Sequence, residues 1–338
     1  MRSSDKKMND KLKAVIAVLV FLAAVIVFSV AVFWPYRQVW SKNNHYDTLF
    51  LGASRVYKGI KPNVMDELLG CSSYSLASDS CSMEDRLVLL ESAIEQGTLK
   101  TVVFEISYDA LTDIYNHEGD GYVYEVEPMS KLEGLKRKIT FCGDKFNFWE
   151  DNYDNVYPAL MSYGFERWER IIRRWPEEKG YVPFGPINIG WTAEQAAQVH
   201  NSKQVSGAYV EENINNMNRV IELCIENDIE VILINTPDSE ANLWQYTGWE
   251  VYEDLMNNLA SKYGIKLYDF NLYKDRQSLF NDRDSFNDYA HLSEIGADTF
   301  SRLLAETLKK GKTEDLSYLF YNNYEEARAH LTYVSAVE

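Results

Sequence analysis

Short apolar runs alternate along this chain with longer stretches whose apolar residues recur every three or four positions. "DTLFLG" (47–52), "KTVVFEIS" (100–107), "IEVILINTP" (229–237) and "GIKLYDFN" (264–271) read as short buried strands. Residues 83–95 place Leu87, Leu90, Ala93 and Ile94 on one helical face, and residues 210–226 do the same with Ile214, Met217, Val220, Ile221 and Cys224. A further helix is expected over residues 249–263. The last, "SEIGADTFSRLLAETLKKG", presents Ile295, Phe300, Leu303, Leu304 and Leu308, with Ser293 as N-cap and Gly311 beyond its end. Strand–helix–strand alternation predicts an α/β domain whose parallel sheet is covered on both faces. Ligands bind such sheets beyond the carboxyl ends of the strands. The Ser54 turn, the "NTPDS" turn and the segment after "LYDFN" are therefore expected along one edge.

One segment has no polar face at all. Residues 14–34, "AVIAVLVFLAAVIVFSVAVFW", carry no charge over the length that spans a bilayer as a helix. Arg2, Lys6, Lys7, Lys11 and Lys13 precede it, while only Arg37 and Lys42 follow closely. That bias predicts a single-pass signal anchor, with residues 1–13 in the cytoplasm, a linker over 35–46 and everything beyond outside. A cleaved signal peptide is the competing reading. "SVA" at 29–31 has the small-x-small form, but the apolar run exceeds a usual signal core.

The rhythm breaks again over residues 112–200, a stretch rich in Tyr, Trp, Glu and Arg that contains "FERWERIIRRW" and "GYVPFGP". An insertion of this size over the carboxyl edge is expected to form a lid or binding wall. The α/β domain is thus expected over 47–312, with 313–338 as a C-terminal tail.

Composition narrows the function. A net charge of −17 leaves nothing to neutralise phosphates and argues against nucleic acid. None of the four cysteines stands in a CxxC pair, so zinc and thioredoxin-like chemistry have no support, and no metal or cofactor is implied. Cys71 and Cys81 are candidates for a bridge.

Candidate chemistry gathers at two places. "LFLGASRVYKG" (49–59) puts Ser54 on a small-residue turn at the end of a strand. Of the five histidines, His45, His117, His200 and His330 have weak contexts, whereas His291 in "NDYAHLSEIGA" follows Asp288 by three residues. That spacing lets a carboxylate hold one ring nitrogen and leaves the other free to act as a base. A loop histidine hydrogen-bonded near a helix start is the plain alternative.

A strand-end Gly-x-Ser followed, just before the last helix, by Asp-x-x-His resembles the SGNH/GDSL-type hydrolases, and among them the membrane-anchored members that act on cell-envelope polymers. "LGASR", "YSLASDSCSM", "VILINTP" and "DYAHLSEIGA" carry the likeness across residues 47–310. The resemblance implies a three-layer α/β sandwich with a flavodoxin-like parallel sheet. It implies Ser54 as nucleophile, His291 as base and Asp288 as the group orienting it. An extracytoplasmic esterase or O-acyltransferase acting on cell-envelope polysaccharide or teichoic-type polymer follows. The alternative is a non-catalytic scaffold of this fold that partners a membrane-bound O-acyltransferase.

The departures bear on the oxyanion. The usual Gly-Asp-Ser is Gly-Ala-Ser here, and Ser107-Tyr108-Asp109 stand where the third-block Gly-x-Asn-Asp belongs. Ser80 is the nearest positional substitute for the second-block glycine. Asn235 reads either as a hydrogen-bond donor or as a turn amide, and Arg55 either as a contact for an anionic acceptor or as a surface arginine.

Overall fold

The computed structural model describes residues 11–24, 45–77, 81–95, 97–112, 178–187 and 198–331. It divides into two units, 1–44 and 45–338. In the first, residues 11–24 are helical, and the rest of the predicted anchor, residues 25–34, lies outside the described residues. No helix among the described residues is long and apolar enough to cross a membrane.

In the second unit, strands β1 (Thr48–Gly52), β2 (Ser73–Ala77), β3 (Thr101–Glu105), β5 (Glu230–Asn235) and β7 (Lys266–Asp269) form one sheet in the order β2-β1-β3-β5-β7. Every pairing in it is parallel, as the apolar runs predicted. This is the doubly wound order in which the winding reverses between β1 and its neighbour β3, and that reversal opens a crevice at the strands' carboxyl ends. Successive side chains of a strand face opposite ways. Phe50, Val103, Ile232 and Ile234 accordingly enter one apolar core, while their alternates Leu49, Leu51, Val102, Phe104, Val231 and Leu233 are buried on the other face.

The core on the first side is closed by α1 (Ser54–Gly59), α2 (Pro62–Leu69) and α7 (Glu294–Lys310). Val56, Ile60, Met65, Phe300, Leu304 and Leu308 interlock there. Ser293 caps α7 as predicted, its Oγ accepting the Gly296 N–H at 3.2 Å. Ile295, expected on the apolar face, is instead 55% exposed, because its neighbours Gly296 and Ala297 take the buried positions of that turn. On the opposite side α3 (Met83–Ile94) packs against α4 (Glu211–Glu226). A reciprocal cap opens α3: Ser82 Oγ accepts the Asp85 N–H at 3.1 Å, and the Asp85 carboxylate accepts the Ser82 N–H at 3.4 Å.

Three features depart from the sequence reading. β2 lacked a long apolar run, since Ser73 and Ser75 take its alternate positions, yet all five of its residues are buried. A two-residue parallel pairing of β4 (Lys203–Gln204) with β6 (Tyr246–Thr247) lies outside the main sheet. Residues 313–331 are packed rather than a free tail. Leu316 and Tyr324 are buried, and Tyr324, at the start of α8 (Tyr324–Ala329), stacks on Trp249 with centroids 4.3 Å apart. Cys71 and Cys81 are not joined by a disulfide; Cys142 lies outside the described residues.

Candidate active site

β1 ends at Gly52 and the chain turns through Ala53 directly into α1, so Ser54 is the first residue of a helix leaving the carboxyl edge. Gly52 is required sterically: a Cβ there would run into the Val56 side chain and crowd the Glu105 carboxyl. Glu105 ends β3 beside this turn, fully buried. Burial raises its pKa, against the opposing charges of Arg86 and Arg55. Arg86 stands 3.7 Å from its carboxylate and donates to its backbone carbonyl at 2.6 Å.

The imidazole that faces Ser54 arrives from the other end of the sequence. Phe286 and Leu292 form an antiparallel bridge, and the Asn287 N–H donates to the His291 carbonyl at 2.8 Å, which closes a tight loop over residues 286–292. Within it Asp288 Oδ1 accepts the N–H groups of Ala290 and His291, each at 2.9 Å. The same carboxylate lies 2.8 Å from His291 Nδ1, and His291 Nε2 lies 2.6 Å from Ser54 Oγ. Opposing the burial that would raise it, the hydrogen bond and charge of His291, the Ala290 N–H and the charge of Lys58 hold the Asp288 pKa down at about 2. An ionised carboxylate only accepts, so Nδ1 carries the ring proton and Nε2 turns a lone pair to the serine hydroxyl. This is the geometry of an activated serine nucleophile.

The three remaining candidates are placed differently. Asn235 is buried at the end of β5, and its amide donates to Tyr324 Oη at 3.1 Å and to Asp269 Oδ2 at 3.4 Å. Both of its donor hydrogens are thus committed to an internal network, and it is not an oxyanion donor. Arg55 is neither on the surface nor turned to an acceptor. It is 5% exposed, its guanidinium is ion-paired with Asp238, and Asp109 stands 3.9 Å away. A buried guanidinium needs such partners because its desolvation cost is otherwise uncompensated. Ser80 lies outside the described residues.

Sequence reasoning missed the residues that tie the two halves together. From the "NTPDS" turn, the Asp238 N–H donates to Asn271 Oδ1 at 2.7 Å, and Arg276 donates to the Asp238 carbonyl. Ser239 donates twice to the Tyr289 carbonyl, through its N–H at 3.1 Å and its Oγ at 2.8 Å. Their sequence signal was only the placement of an Asp-Ser pair at a strand's carboxyl end. Residues 178–187 of the aromatic insertion are among those described. In them the Val182 N–H donates to the Tyr57 carbonyl at 2.9 Å, and the Ile187 N–H donates to the Phe286 carbonyl at 3.1 Å. That stretch therefore touches both the Ser54 helix and the histidine loop, and Phe184 lies under the Lys58 ammonium at 4.3 Å. The rest of the aromatic insertion, 113–177 and 188–197, lies outside the described residues.

Among known proteins, a family model that carries no description matches residues 192–312, less than half of the chain. No curated protein sequence matches this one. Among solved structures, the chain is similar to a "putative acylhydrolase" from Bacteroides fragilis, at 11% identity and a TM-score of 0.37, over 78% of this chain and 86% of that one. A likeness this distant transfers neither residue roles nor activity.

Proposed function

We propose that this chain is a serine esterase or O-acyltransferase working outside the cytoplasmic membrane. Its substrates would be acyl esters, of acetyl or D-alanyl type, on cell-surface glycan or teichoic-type polymer. The observation that carries the reading is the alignment of Ser54 Oγ, His291 Nε2 and Asp288 on one line of contacts at 2.6 and 2.8 Å. In this mechanism His291 takes the Ser54 proton as the oxygen attacks the ester carbonyl. The same proton passes to the departing alcohol when the tetrahedral intermediate collapses, leaving an acyl-serine. Water or a glycan hydroxyl then gives up a proton to His291 and takes the acyl group. The Ser54 N–H, in the first turn of α1 where helical N–H groups lack an intrahelical acceptor, is the natural first donor to the oxyanion.

The envelope substrate rests on the apolar run at 14–34 and its flanking charges, which would hold the domain beside surface polymers with the N-terminus in the cytoplasm. One observation favours a second reading, the non-catalytic scaffold partnering a membrane-bound O-acyltransferase. Asn235 is committed elsewhere, and a missing oxyanion donor costs about 3 kcal/mol of transition-state stabilisation.

Labelling of the full-length protein by a fluorophosphonate separates the two. The enzyme reading expects wild type to label and Ser54→Ala not to label. Equal labelling of the two proteins, or none of either, overturns it.

A further inference from the structure

Two segments 237 residues apart must meet within hydrogen-bond distance for Ser54 and His291 to react. Nothing in either segment alone sets that distance. We infer that the buried pair Arg55–Asp238, continued through Ser239, is the positioning bracket that holds the histidine loop against the nucleophile turn. This inference rests on the serine-nucleophile reading above.

The path is short at every step. Arg55 is covalently next to Ser54, and its guanidinium, 4% exposed, meets the Asp238 carboxylate, 3% exposed. Asp238 is covalently next to Ser239, whose N–H and Oγ converge on the carbonyl of Tyr289. Tyr289 lies between the two other members of the triad, Asp288 and His291. Two noncovalent joints therefore connect the nucleophile to the base, and each is made by more than one contact or by full charges.

Asp238 is itself immobilised on its far side. Its N–H donates to Asn271, the Asn271 amide reaches its carboxylate at 3.4 Å, and Arg276 donates to its carbonyl. The bracket is thus anchored to the end of β7 rather than floating with the loop. A planar guanidinium set between Asp238 and Asp109 in a buried site fixes orientation as well as distance. Small displacements of a reacting pair cost large factors in rate, since the bound geometry must be a near-attack one.

A residue acting this way changes turnover more than substrate binding. We would measure p-nitrophenyl acetate hydrolysis and fluorophosphonate labelling rates of the full chain, below the melting temperature of each variant. Asp238→Asn, which keeps size and removes charge, should lower kcat ten- to a hundredfold with KM within twofold. Arg55→Lys should retain several-fold more activity than Arg55→Met. Ser239→Ala, which deletes one of the two contacts to Tyr289 and the cap that accepts the Asn242 N–H, should lower the labelling rate about threefold when assayed below its own, slightly lowered, melting temperature. Wild-type rates in folded Asp238→Asn overturn the bracket while leaving the nucleophile in place. Should Asp238→Asn not fold, an unchanged rate in Ser239→Ala overturns it instead. Absence of labelling and hydrolysis in wild type overturns the nucleophile reading, and this inference with it.

Discussion

The two segments that supply the site are held by different physics. The Ser54 turn is an extension of the core: β1 is buried throughout, Val56 and Ile60 are inaccessible, and Gly52 is the one residue small enough for the space left to it. The Asp288–His291 loop has almost no core of its own. Phe286 and Leu292 anchor its ends, and between them the Asp288 side chain is 44% exposed and Tyr289 is exposed. Polar contacts give that loop its shape: two backbone N–H groups on Asp288, a doubly bonded Tyr289 carbonyl, and the ring of His291 on the carboxylate. Position set by packing is lost only when the fold is weakened. Position set by hydrogen bonds can be lost while the fold stands.

The sharpest way to test that contrast is to remove the chemistry and leave the packing. His291→Ala should cut esterase turnover and fluorophosphonate labelling by about 10⁴-fold or more, with the melting temperature nearly unchanged. Calorimetry beside a labelling assay checks both halves. A loss of stability matching the loss of activity would break the distinction.

Asp288→Asn should follow, at about 10²–10⁴-fold, because an amide cannot hold the same ring tautomer. Acidification reads the same group. Its folded pKa is depressed to about 2, so the stability it contributes is complete above its ordinary value near 4 and declines as pH falls toward 2. Activity lost on acidification above about pH 4 belongs to another group; a titration of labelling rate against pH decides this.

The converse experiment leaves the chemistry and damages the packing. Leu304→Ala, in the core shared by α7 and α1, should cost about 2–5 kcal/mol by the removed burial and the cavity left behind. At a temperature where the protein stays folded, its labelling rate should remain within about twofold of wild type.

Two smaller effects lie outside both segments. Burial raises Glu253, whose carboxylate accepts the Tyr324 N–H, to about 7, and raises Asp269, under the Tyr324 hydroxyl, to about 6. Both carboxyls are thus raised above their unfolded values. The stability this provides is complete below about pH 4 and is lost as pH climbs through 6 to 7. The melting temperature should fall across that interval, and Glu253→Gln should flatten the fall. Smallest of all, Ser293→Ala should cost about 1 kcal/mol through the lost cap of α7.

Much of the layout was legible before the structure. The apolar runs at 47–52, 100–107, 229–237 and 264–271 each contain a strand of the parallel sheet, because burial on both faces favours near-continuous apolar runs. β2 was missed because Ser73 and Ser75 interrupt that signal. Ser73 is accommodated by the Asp66 carboxylate, which accepts its Oγ–H at 2.6 Å, a contact no local pattern predicts.

For the site, residue type and local spacing drew attention to Ser54 and to the Asp288–His291 pair, and only the family resemblance joined the two. The Asp-x-x-His geometry is local, since the carboxylate reaches the imidazole within one loop. Arg55 and Asn235 were misplaced, because the role of a buried polar group depends on what the fold brings beside it. Neither Asp238, 183 residues from Arg55, nor Tyr324, 89 from Asn235, is a neighbour in sequence.

By itself, then, the order of apolar and polar residues determined the sheet's parallel class and the helices that cover it, and local spacing set Asp288 beside His291. Those follow from periodicity and from chemistry within a single turn. Tertiary structure alone decided that Ser54 and His291 stand 2.6 Å apart, that Asn235 is committed to Asp269 and Tyr324, and that Arg55 is paired with Asp238. The physical reason is that buried charges and amides take whichever partner long-range folding places within reach, and desolvation makes that partner obligatory.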